Sequence, residues 1–177
     1  MVLESFDPWT AFDTYLSILR FPAEHPEFIP SLIPIFLGLV VIELYFGRYE
    51  FEELGWNSAV SNSVLIIATS LTLIVRLNLL GAPAGPRYGV AYGILLLGAF
   101  ILVMNFFHVW PPKVAFNVSS GFVTYVLVYL SIALVYEGVP PTLNTVAASA
   151  MVFASSYLLF RSLKSLEKTD VSGRLRR

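Results

Sequence analysis

Cysteine is absent, which excludes disulfides, thiol nucleophiles and thiolate metal sites. Charge is scarce: 13% of residues are charged against about 25% in soluble domains, and with a net charge of -1 the chain has no nucleic-acid footprint. The two histidines, His25 and His108, fall on opposite sides of the topology derived below, so shared metal chemistry is not expected. No HExxH, GxSxG, P-loop or dinucleotide fingerprint occurs, and no cofactor is expected. The N-terminus lacks a basic region followed by an apolar run, so no cleavable signal peptide is expected.

What the chain has is apolar length. Of its 177 residues 56% are hydrophobic and mean hydropathy is +0.74. Its long apolar runs match the about 20 helical residues that cross a hydrocarbon core. The expected fold is all-α: a polytopic transmembrane bundle of five spans at about 30–47, 58–80, 88–108, 117–137 and 142–163. Residues 1–29 form an extracytoplasmic segment and 164–177 a basic tail. Within the first segment Asp7-Pro8 reads as an N-cap followed by proline at the first helical position, opening an amphipathic interfacial helix over 8–20. Trp9, Phe12, Leu16 and Leu19 share one face of it, opposite Thr10, Asp13, Ser17 and Arg20. Pro22, Pro26 and Pro30 are expected to break helix beyond.

Five spans put the termini on opposite sides, and positive charge orients them. Arg161, Lys164, Lys168, Arg174, Arg176 and Arg177 join Arg48 and Lys113 on one side, while Arg20, Arg76 and Arg87 lie on the other. The C-terminus is therefore expected in the cytoplasm and the N-terminus outside, in the plasma membrane, with the tail on anionic lipid. Val60-Ser61-Asn62-Ser63 and Val118-Ser119-Ser120-Gly121 both open inner ends of spans.

Around Glu43-Leu44-Tyr45-Phe46-Gly47-Arg48 and Glu53-Leu54-Gly55-Trp56-Asn57-Ser58-Ala59-Val60-Ser61-Asn62-Ser63 the chain resembles uncharacterised small polytopic membrane proteins of archaea. That resemblance implies a prokaryotic plasma membrane and no particular activity.

Polar and small residues recur at seven-residue steps, which return nearly to one helix face. They are Asn62, Thr69 and Arg76; Ala91, Gly98 and Asn105; Asn117, Thr124 and Ser131. These faces are expected to turn inward together. Gly89, Gly93 and Gly98, with Ala147, Ala150 and Ala154, supply flat surfaces for close helix packing. Alternating span direction sorts the polar groups into an inner layer of Glu43, Asn62, Asn105, His108, Asn117 and Arg161, and an outer layer where Arg76 is expected to meet Glu137. Three functions fit. The leading one is a non-enzymatic scaffold or accessory subunit that self-associates or packs against other membrane subunits. The alternative is a small oligomeric transporter or channel using the inner cluster around Glu43, and the third is a lipid-modifying enzyme.

Overall fold

The computed structural model describes residues 6–29, 32–33, 35–37, 39–40, 55–83 and 85–174, with side chains as far as Ser162 apart from Glu27. Every element among them is helical: α1 (Pro8–Glu24), a 3-10 turn (Pro26–Phe28), α2 (Trp56–Leu79), α3 (Pro86–Phe106), α4 (Pro112–Val118), α5 (Gly121–Glu137) and α6 (Leu143–Arg174). Among the described residues four stretches are long and apolar enough to cross a bilayer: α2, α3, the α4–α5 unit and Leu143–Ser162 of α6. They make this a membrane-embedded protein, since lipid leaves backbone amides and carbonyls no partner except within a helix. Most of the expected span 30–47, Glu43 included, lies outside the described residues.

α1 starts as its first residues dictate. The Asp7 carboxylate accepts from the amides of Trp9 (3.3 Å) and Thr10 (3.0 Å) and from the Thr10 hydroxyl. Those bonds, the Thr10 hydroxyl foremost, hold the Asp7 carboxyl below its usual range. The expected break at Pro22 does not occur, and the helix continues to Glu24. Proline has no amide to donate to the carbonyl four residues back, so Ile18 loses its helical partner. The Tyr129 hydroxyl takes that place, donating to the Ile18 carbonyl at 2.5 Å. A second tie runs from the Asp7 amide to Asn144 Oδ1 at 2.9 Å.

The face of α1 turned to the protein carries Ala11, Ile18 and Phe21, all buried against α5 and α6. Trp9, Phe12 and Leu19 of the expected membrane face point outward, so α1 has an inner apolar stripe and a separate outer one. α2 and α3 pair most extensively, as antiparallel neighbours joined by a short turn should. Gly98 makes their approach close: a Cβ there would lie 2.9 Å from Ile66 Cγ2.

α5 is the hub. In the apolar stretch of Pro112–Glu137, 61% of residues are buried, against 33%, 28% and 28% in the other three. Its buried face includes Thr124, Val128, Ser131 and Val135, and it touches α1, α2, α3 and α6. It ends at Gly138, whose φ of 69° is the left-handed conformation of a helix C-terminus and lets the Val139 amide reach the Leu134 carbonyl at 3.2 Å. α3 ends in the same geometry without glycine. His108 takes a φ of 52° while the Val109 amide bonds the Met104 carbonyl at 2.9 Å.

Candidate functional site

At the end of the bundle that holds Trp56, a polar node joins three helices. Asn105, on α3, is fully buried, and its amide nitrogen donates to Ser119 Oγ at 2.7 Å and Ser63 Oγ at 2.9 Å, with the Ala59 carbonyl at 3.3 Å. Asn62 Nδ2 donates to the Ser119 carbonyl at 2.7 Å. The fourth span was expected to run unbroken over 117–137. It instead begins at Pro112 and is interrupted at Ser119-Ser120, between α4 and α5. The cause is local: Ser120 Oγ caps α5 by accepting the Val123 amide at 3.3 Å, and that diverts the donor the Ser119 carbonyl would otherwise receive. The Asn62 side chain fills the vacancy.

Two buried oxygens near the interruption, Asn105 Oδ1 and Thr124 Oγ1, have no hydrogen-bond partner among the described residues. Because interhelical hydrogen bonds in membranes average about 0.6 kcal/mol and reach about 1.7, Asn105→Leu is expected to cost about 1 kcal/mol of stability. Denaturant unfolding in mixed micelles reads this directly, and an unchanged midpoint would show the node contributes nothing.

The other residues of the expected inner cluster do not join the node. His108 is exposed and stacks on Trp56 with ring centroids 4.0 Å apart. Asn117 and Arg161 are exposed, and Glu43 falls outside the described residues. Ser63 and Ser119, which complete the node, were not singled out as site residues; their place at matching ends of the second and fourth spans was the available signal.

At the opposite end Arg76 and Glu137 do not form the expected ion pair. Glu137 Oε1 stands 3.5 Å from His25 Nε2 instead. The Arg76 guanidinium lies over two rings, 5.4 Å from the Phe28 centroid and 5.5 Å from that of Tyr136. The physical reason is geometric: Phe28 and Tyr136 are themselves packed, centroids 4.0 Å apart, and present a ready aromatic platform to a cation. Below Arg76 opens a largely apolar cavity of about 520 Å³, lined by Leu65, Thr69, Leu73, Val128 and Ile132 among others.

The small residues divide. Gly98 is buried against Ile66, whereas Gly89, Gly93, Ala150 and Ala154 are exposed, and a Cβ on Gly93 would meet nothing within 4 Å. Ala147 is half-buried.

The fold and these sites define a polytopic membrane-embedded helical bundle. No family model, curated protein or solved structure matches the chain.

Proposed function

We propose that this is a non-catalytic component of the plasma membrane that packs side by side with copies of itself, or with other membrane subunits, through α3 and α6. The observation that carries this reading is the exposed pair Gly89 and Gly93, spaced as glycines that let two membrane helices approach closely; a Cβ on Gly93 would meet nothing within 4 Å, and one on Gly89 would only touch Pro141 at 3.8 Å. The exposed Ala150 and Ala154 extend the same property to α6. In this reading the N-terminus lies outside with the apolar stripe of Trp9, Phe12 and Leu19 at the lipid interface, and the basic tail rests on anionic lipid in the cytoplasm.

Gly93→Leu tests it. The substitution has room within the monomer, so its stability should stay unchanged while self-association in lipid nanodiscs weakens about tenfold or more, as read by single-molecule photobleaching. A wild-type protein that remains monomeric at high density would remove the proposal.

A transport reading is favoured by one observation, the interrupted α4–α5 unit beside the Asn105 and Thr124 oxygens that have no partner among the described residues. Transporters build their binding sites at such discontinuous helices. Solute flux in proteoliposomes that is lost in Asn105→Leu would support it over the scaffold reading.

A further inference from the structure

We propose that the groove beneath Arg76 is a binding site for one anionic phospholipid of the surrounding bilayer, with the phosphate on Arg76 and an acyl chain along Leu73, Thr69 and Leu65.

Charge points to the headgroup. Among the described residues Arg76 forms no ion pair, its expected partner Glu137 being turned to His25. A guanidinium resting over rings keeps its N–H edges free, and those edges match the paired oxygens of a phosphate. The side chain is exposed at the surface of the bundle, with the rings on one side of it, so an anion can reach the guanidinium.

Depth points to a lipid rather than a soluble anion. Arg76 lies in the last turn of α2, at the level where a span meets the headgroups. Thr69 and Leu65 lie about 10 Å and about 16 Å further down the same helix at 1.5 Å per residue. Val128 and Ile132 of α5 face them across the groove. The charged end is thus at the membrane surface and the apolar length runs toward the bilayer centre, the polarity of a lipid molecule. At about 520 Å³ the cavity lies within the about 300–1,000 Å³ of small-molecule sites.

The groove also accounts for the polar stripe of α2. Asn62, Thr69 and Arg76 are not the buried face of the helix; Ser63, Ser70 and Leu77 are, one position along. Thr69 and Arg76 therefore flank the core and border the cavity.

The test is native mass spectrometry of the full-length protein, titrated with phosphatidylglycerol and with phosphatidylcholine of identical chains. The wild type should retain one phosphatidylglycerol about tenfold more strongly than phosphatidylcholine, and excess inorganic phosphate should not displace it. Arg76→Gln should erase the preference, and Arg76→Lys should restore part of it. Thr69→Trp, which fills the groove and leaves the cation in place, should abolish retention of both lipids. A phosphatidylglycerol with a photoactivatable acyl chain should label peptides from α2 and α5. Equal retention of the two lipids by the wild type, a preference that survives Arg76→Gln, displacement by inorganic phosphate, or labelling confined to the basic tail would each overturn the assignment.

Discussion

Replacing Gly98 with leucine is expected to drive α2 and α3 apart and to leave little protein that survives extraction as a monodisperse species. A Cβ at this position lies 2.9 Å from Ile66 Cγ2, 3.1 Å from Ile67 Cγ1 and 3.3 Å from Ile66 Cβ. Ile66 is only 1% exposed and β-branched, so it has neither empty space nor a second good rotamer in a helix to retreat to. Forcing extra methylenes into such a contact typically costs about 1–3 kcal/mol and sometimes more. The penalty is felt fully in a membrane, where close packing rather than water exclusion holds helices together. Gly98→Ala should fall between, because its better helix propensity, about 1 kcal/mol, offsets part of the clash. Thermal unfolding followed by intrinsic fluorescence ranks the three proteins, with Gly93→Leu as the control on an open face. A leucine at 98 that melts with the wild type would mean the α2–α3 contact is looser than described.

Tyr129→Phe should destabilise the protein by about 1–3 kcal/mol, the range for leaving one buried polar group without a partner. The affected group is the Ile18 carbonyl, which Pro22 cannot serve and the tyrosine hydroxyl does. Pro22→Ala supplies an amide at the right position in the helix, so in that background the carbonyl has a local donor and Tyr129→Phe should cost little. The diagnostic quantity is the difference between the two costs, measured by denaturant unfolding as a double-mutant cycle. Equal costs with and without Pro22 would show that the hydroxyl acts elsewhere.

How much of this was legible in the residues depends on the force concerned. Apolar length is a one-dimensional property, and the runs near 58–80, 88–108, 117–137 and 142–163 fall on the four stretches that, among the described residues, are long and apolar enough to cross a bilayer, the third of them starting earlier, at Pro112. Facing is harder. On α3 the seven-residue stripe of Ala91, Gly98 and Asn105 is buried throughout, and on α5 Thr124 and Ser131 are too. On α2 the buried stripe is Ser63 and Ser70 rather than Asn62 and Thr69, because serine is small and returns its hydroxyl to its own helix. Ser63 bonds the Ala59 carbonyl at 2.8 Å and Ser70 that of Ile66 at 3.0 Å. Hydropathy registers polarity and misses that self-satisfaction.

The candidate sites were less legible because their partners are remote in the chain. Proline at 22 read as a helix breaker on the strength of its missing amide, but a hydroxyl from another helix makes good the loss. Glu137 and Arg76 share a level, and opposite charge suggested a pair. The aromatic pair Phe28–Tyr136 and the imidazole of His25 compete successfully for those two groups, and their arrangement exists only once α1 has docked. The interruption at Ser119-Ser120 is invisible to hydropathy because it lies inside one stretch, Pro112–Glu137, that is apolar enough as a whole to cross a bilayer.

The ties that hold α1 have a consequence for biosynthesis. Asp7 is joined to a residue 137 positions later, and Ile18 to one 111 positions later. While α2 and α3 can close on each other soon after both leave the ribosome, α1 meets its main packing surface only after α5 and α6 have followed. Until those two helices are in place, α1 waits undocked.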